Sequence, residues 1–154
     1  PHVYAAGDSA DTPGMPLTPV AVFEAQVAAS NILKSVKVTP DYRAIPTAVF
    51  TIPELVRVGM LEREAQAEGF NVDVRFSDTS SWYSNYRIGE TAGAVKILID
   101  KNTDRIIGAH LFGHDYAEVA NTIGLAMKNG LTTKQIKSTT AVYPSIGADL
   151  ASML

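Results

Sequence analysis

Four short stretches of this chain carry side chains of the kinds that do chemistry. They are Gly7-Asp8, His110 and His114 with the acids that follow them, the aromatic group Trp82, Tyr83 and Tyr86, and Tyr143-Pro144-Ser145. Gly7-Asp8 closes the apolar run Val3-Tyr4-Ala5-Ala6, which reads as a short strand over residues 2–7. A carboxylate at the carboxyl end of a parallel strand faces a ligand crevice, whereas one in a plain turn caps its own backbone. Taken alone, Gly-Asp favours the plain turn. Thr18-Pro19 follows, with a hydroxyl for the N-cap and a proline for the first helical position. The free N–H groups and positive dipole end of such a helix suit a site where negative charge develops. An ordinary capped helix has the same sequence, so both meanings stay open. His110 and His114 have Asp115 and Glu118 nearby, superficially a metal set. One falls in a strand and the other in the turn after it, so they do not share a helical face and no metal site is assigned. Both are expected at the end of a hairpin, and His2 at a strand edge. Trp82, Tyr83 and Tyr86 would suit stacking on bases, but Arg87 is the only basic residue among them, so core or interface packing is expected. Ser145 lacks the leading glycine of a nucleophile elbow.

The elements that must position these residues can be read from periodicity. Ala92 to Gly113 holds two β-rich runs around the polar Lys101-Asn102-Thr103-Asp104, the sequence form of an antiparallel hairpin with a loop of about four residues. Alternation puts Val95, Ile97 and Ile99 on one face, and separates Ile107, Ala109 and Leu111 from Ile106, Gly108, His110 and Phe112. Gly108 leaves a strand position open to the close approach of another chain segment. From Asp115 to Lys128 the period becomes helical, through Val119, Ile123, Ala126 and Met127. A hairpin covered by a helix makes an α+β core. Before it, a helix from Thr18 to about Lys34 is expected to bury Val22, Ala25, Ala29, Ile32 and Leu33. Strands follow at 47–51, 55–59 and 72–76, with a short helix over 61–68 closed by Gly69. Residues 77–91 read as irregular, Thr132 to Ile136 as a short helix, and the tail as a loop entering a final helix.

Composition narrows the functional classes. Of 154 residues, 46% are hydrophobic and 19% charged, as in a globular protein. The net charge of −3, without a Lys/Arg cluster, argues against nucleic acid as a partner. No apolar run approaches the roughly 20 residues needed to cross a bilayer, so no membrane role is expected. The first residues lack the basic region and apolar core of a signal peptide, which makes a cytoplasmic location the expectation. Cysteine is absent, which removes disulfides, thiolate catalysis and Cys-type metal sites from this chain. A lone parallel strand at residues 2–7 has no neighbour to pair with, which suggests a piece of a longer protein. Alternatively, Pro1 follows a removed Met and the strand pairs elsewhere in the chain.

Three separated segments, in this order and spacing, resemble the FAD-dependent pyridine nucleotide–disulfide oxidoreductases, the family of glutathione reductase, dihydrolipoamide dehydrogenase and mercuric reductase. They are Val3-Tyr4-Ala5-Ala6-Gly7-Asp8 with Thr18-Pro19-Val20-Ala21; Ala48-Val49-Phe50-Thr51-Ile52-Pro53-Glu54 with Val58-Gly59 and Glu62; and the hairpin with Glu118, running into Tyr143-Pro144-Ser145. The resemblance implies that residues 1–36 are the last piece of an FAD-binding domain and that 37–154 form the interface domain. That domain would be an antiparallel sheet with helices packed on it, joining two copies into a C2 homodimer through one sheet face and the final helices. The rest of the FAD domain, the redox cysteines and the NAD(P) domain would lie upstream. In the intact enzyme NAD(P)H would reduce FAD and electrons would pass to an acceptor, a role in cell redox homeostasis; this chain by itself would be inactive.

The same resemblance assigns residues. Asp8, beside Gly7, would accept a hydrogen bond from the FAD ribityl chain, and Thr18, Val20 and Ala21 would approach the flavin ring through their backbone. At the place of the family's His-Pro-Thr, whose histidine acts on the partner's dithiol and is oriented by a glutamate, stand Tyr143-Pro144-Ser145 and then Ala148-Asp149. A tyrosine titrates near 10 and is a poor base around neutrality. Ordinary dithiol exchange is thereby put in doubt, while flavin reduction is untouched. Tyr143 either lines the site as a phenol donor or only packs. The rival to all of this is a free-standing dimerisation module without a flavin role.

Overall fold

The computed structural model describes residues 3–154. His2 therefore lies outside the described residues. The chain divides into two compact units, Pro1–Arg43 and Ala44–Leu154.

In the first unit the strand expected at residues 2–7 is not formed among the described residues: residues 3–6 run without a sheet partner and Gly7–Ser9 forms a 3-10 turn. Extended backbone needs a neighbouring strand to become sheet, and none is present among the described residues. Helix α1 spans Thr18–Leu33. Its N-cap is Leu17 rather than Thr18, and no side chain caps it. The apolar stripe expected to be buried is instead outward: Val22, Ala25, Ala29, Ile32 and Leu33 are all exposed. The buried positions are Val20, Glu24 and Asn31. The physical reason is that both polar side chains are bonded to the flanking loops. Asn31 donates from Nδ2 to the Val38 carbonyl and accepts from the Val38 N–H, each at 2.8 Å. Glu24 binds three groups, described below.

The second unit is built on one five-stranded, wholly antiparallel sheet ordered β1-β2-β5-β4-β3. The strands are β1 (Pro46–Val49), β2 (Glu54–Gly59), β3 (Val72–Asp78), β4 (Ala94–Asp100) and β5 (Arg105–Gly113). The expected hairpin is the central pair, β4–β5, with Lys101–Asp104 as its turn. Helix α2 (Glu62–Ala67) follows β2, and α4 (Tyr116–Lys128) follows β5. Helix α4 lies on one sheet face, where Val56, Val58, Val95, Ile97, Ile99, Ala109 and Leu111 meet Tyr116, Val119, Ala120 and Ile123 in a single core. Glu54 at the start of β2 accepts the Ala117 N–H at 2.9 Å, placing a carboxylate at the positive end of α4. On the other face Glu62 of α2 pairs with Lys96 at 2.5 Å. Helices α5 (Thr133–Lys137) and α6 (Leu150–Met153) close the core through Ile136, Leu150 and Met153.

Two expectations for this unit need correction. The alternation read along β5 breaks, because pairing passes from Leu98↔Gly108 to Ile99↔Ile106 and leaves Ile107 as an extra residue. That bulge turns Ile106, not Ile107, into the core beside Ile99. The stretch 77–91, expected to be irregular, contains helix α3, Tyr83–Ile88. It is held from within rather than by its own propensity: Asn85, fully buried, donates to the Thr79 carbonyl at 2.8 Å. It stops at Gly89, whose φ of 73° is the left-handed C-terminal position that glycine fills without a Cβ clash.

Candidate functional site

Each unit presents one place where sequence-flagged residues gather. In the first, the Gly7-Asp8 turn is fastened to α1. Glu24, projecting from the second turn of α1, accepts the Gly7 N–H at 2.7 Å, the Thr12 hydroxyl at 2.7 Å and the Tyr42 hydroxyl at 2.8 Å. These bonds, from Thr12 first and then Tyr42 and Gly7, favour the charged form and hold its carboxyl below the usual range. A Cβ on Gly7 would sit 3.1 Å from the Ala21 Cβ, so the turn rests directly on the first turn of α1. Gly7, Asp8, Val20 and Glu24 border a cleft of about 200 Å³. Asp8 is exposed, and its carboxylate makes no hydrogen bond among the described residues. Thr18 is exposed beside the helix start, and the first-turn N–H groups of Thr18 and Val20 have no intrahelical acceptor. Four of the five expected contact residues, Gly7, Asp8, Val20 and Ala21, are thus brought together directly; Thr18 is joined to them through the helix.

In the second unit the tail residue Tyr143 projects into solvent, 73% exposed. Its ring stacks on that of Tyr83 at the start of α3, with centroids 6.1 Å apart and planes 18° from parallel. Ser145 is occupied as a local cap: its hydroxyl donates to the Val142 carbonyl at 2.6 Å and accepts the Ala148 N–H at 3.2 Å. Asp149 does not reach Tyr143; its carboxylate accepts the hydroxyl of Ser84 on α3. Beneath α3, the Thr79 and Tyr116 hydroxyls share a hydrogen bond of 2.7 Å. Pro144, Ser145 and Gly147 border a groove of about 480 Å³ together with Arg87, Asp115 and Glu118.

Neither His110 nor His114 borders the cleft or the groove. His110, on β5, is half-buried with Nε2 3.1 Å from the Met60 carbonyl. Burial, with Lys96 and Arg57 adding to it, pushes its pKa down, against the opposing pull of Met60. His114 pairs with Asp115 at 3.2 Å. Of the aromatic group, Trp82 packs against the core, while Tyr83 and Tyr86 are exposed. Sequence reasoning missed Glu24 and the Asp149–Ser84 and Tyr83–Tyr143 contacts. For Glu24 a signal existed, since it is the one charged residue of the Thr18–Leu33 helix; for contacts spanning some sixty residues there was none.

Comparison with known proteins decides the relationship. Residues 45–153 match the family described as "Pyridine nucleotide-disulphide oxidoreductase, dimerisation domain". The chain belongs to this family. Its α+β architecture is the one expected of that domain. The chain is 44% identical over 154 residues to the "Uncharacterized 19.7 kDa protein in mercuric resistance operon" of Staphylococcus aureus, covering all of this chain and 86% of that protein. It is 29% identical to the chloroplastic/mitochondrial glutathione reductase of Pisum sativum, over 99% of this chain but 27% of the reductase. With dihydrolipoyl dehydrogenase of Staphylococcus aureus the identity is 32%, over 95% of this chain and 31% of that enzyme. Among solved structures, the HOCl-induced flavoprotein disulfide reductase RclA of Escherichia coli superposes with a TM-score of 0.87 at 27% identity, over 97% of this chain and 34% of RclA. This chain therefore spans most of the short staphylococcal protein and about a third or less of the reductases. The reductases also match it ahead of residue 45, through the Gly7-Asp8 turn and α1.

Proposed function

We propose that this chain supplies the dimerisation domain and the closing segment of the FAD-binding domain of a homodimeric flavoprotein oxidoreductase. Residues 1–36 are the FAD-domain segment and 37–154 the interface domain. The observation that carries the flavin role is the fastening of the Gly7-Asp8 turn to the N-terminus of α1 by Glu24. It brings Asp8, whose carboxylate makes no hydrogen bond among the described residues, and Val20 of the first turn of α1 to the border of one cleft. At about 200 Å³ the cleft is too small to enclose a dinucleotide, since ligand pockets run from about 300 to 1,000 Å³. It fits one edge of a ligand held mainly by other segments. When bound, FAD would supply the redox chemistry between NAD(P)H and an acceptor. Of this chain's residues, Asp8 would accept a hydrogen bond from a ribityl hydroxyl, Gly7 would let the backbone come close, and Thr18, Val20 and Ala21 would present the positive α1 terminus to the flavin ring.

Dimerisation is supported by the type of the matched domain and by exposed apolar side chains on the sheet face away from α4, among them Val49, Leu55 and Phe76. By resemblance, Tyr143 stands where disulfide reductases carry their acid–base histidine, so an ordinary dithiol step is not assigned to it; the role proposed for it is that of a phenol donor lining the site.

A second reading, a free-standing dimerisation module, is favoured by one observation. The staphylococcal relative, 86% of which this chain covers, has a mass of only 19.7 kDa. One experiment separates the two: the intact mass and visible spectrum of the product purified from its native source. A much larger yellow protein, bleached by NADH or NADPH, supports the flavoenzyme and names its donor. A colourless dimer of the short chain leaves the module.

A further inference from the structure

We infer that Tyr83 is a positioning residue for Tyr143, and that Asp149 and Ser84 hold the helix from which it acts. This rests on the assignment of Tyr143 to the site above. The Tyr143 phenol has no hydrogen-bond partner among the described residues, and its chain neighbour Val142 is 80% exposed. A phenol ring in that setting keeps a defined direction only if another group holds it. Tyr83 is that group: the 6.1 Å centroid separation and 18° interplanar angle lie in the range of offset-stacked aromatic pairs.

Tyr83 can do so only if α3 is itself fixed. The helix is six residues long and no side chain caps its N-terminus. Short isolated helices are not stable in water. Asn85 fixes it from below through Thr79, and Ser84 fixes it from the side by donating to the Asp149 carboxylate. Consecutive residues on a helix point about 100° apart, so Tyr83 faces outward while the adjacent Ser84, 4% exposed, faces inward. The tail thus grips α3 at two neighbouring residues, with Asp149 on Ser84 and Tyr143 on Tyr83. A carboxylate still orients the exposed ring of this tail, but it does so through a helix rather than by direct contact.

The test is aromatic proton–carbon NMR of the 154-residue chain, with the Tyr143 ring assigned by Y143F. Stacking shields the ring protons, so they should resonate upfield of free tyrosine. Y83A should move them to the free value and Y83F should leave them in place. D149N and S84A should move them part of the way in the same direction, and Y86A should not move them. Tyr83 is 53% exposed, so Y83A is expected to keep the fold, read from unchanged core methyl resonances. Tyr143 shifts that ignore Y83A, or that ignore both D149N and S84A, overturn the inference. Failure of the site assignment is read separately: if Y143F in the flavin-bearing protein leaves reoxidation of the flavin unchanged, Tyr143 has no role there although the stack exists.

Discussion

Gly108 and Asp8 show how far single residues carry the structure. A Cβ built on Gly108 would lie 2.2 Å from the Met60 carbonyl oxygen and 3.0 Å from Leu98 Cδ1. The first contact is with backbone, which cannot swing aside as a side chain can. Gly108→Ala should therefore cost about 1–3 kcal/mol or more, as overpacking does, checked by urea unfolding with the m-value unchanged. The opening left by a glycine in a strand was legible in the sequence; that Met60 would fill it was not, since nothing local links residues 60 and 108. Asp8 is the opposite case, a side chain with no structural partner among the described residues. Asp8→Asn should leave the melting temperature of the chain within error and weaken flavin retention in the flavin-bearing protein, measured by dialysis against increasing salt. A melting temperature that falls instead would make Asp8 a structural turn residue.

At the scale of elements, β2, β4 and α4 were legible because their own hydrophobic pattern matches the face they bury, with Val56 and Val58, Val95, Ile97 and Ile99, and Val119 and Ile123 in the core. Helix α3 was not, because what fixes it is a buried polar set, Thr79, Asn85 and Tyr116, drawn from three segments. Its one local signal was Gly89. The buried face of α1 was misread for a related reason: periodicity counts apolar side chains, while the loops of the first unit satisfy Glu24 and Asn31 and leave the larger apolar residues outside. The polar set makes a quantitative expectation. Tyr116→Phe keeps the ring in the core and removes the hydroxyl that meets Thr79, which should cost about 1–2 kcal/mol, a lost buried hydrogen bond. Asn85→Ala should cost more, because it also leaves a void and frees the Thr79 carbonyl. Hydrogen exchange should then show α3 opening first while the β4–β5 amides stay protected. Equal loss of protection in both would mean that α3 and the sheet unfold as one unit.

Across the whole molecule the shifted titrating groups share a sign on the acid side. Thr133, with the Lys134 N–H, holds the Asp104 carboxyl below its ordinary range where that residue ties the β4–β5 turn to α5; the Thr133 hydroxyl bond is 2.5 Å long. Ser80 does the same for Asp78, and Thr12 leads the groups that lower Glu24. For a depressed carboxyl, the stabilisation is complete above the unfolded value of about 4 and is lost as pH falls through the folded one. His110 is depressed by burial, so the unfolded chain binds its proton first and stability falls as pH drops below about 6.5. Two acid limbs are therefore expected: a shallow one beginning near the ordinary histidine value, and a steeper one in the carboxylate range where both units respond. Thermal melts in a series of buffers from pH 8 downward at constant ionic strength check this. His110→Gln should flatten the first limb and leave the second. Asp104→Asn should lower the plateau and soften the second while leaving the first. If His110→Gln leaves the upper limb unchanged, burial of this imidazole in the neutral form is not what couples the β5 strand to pH.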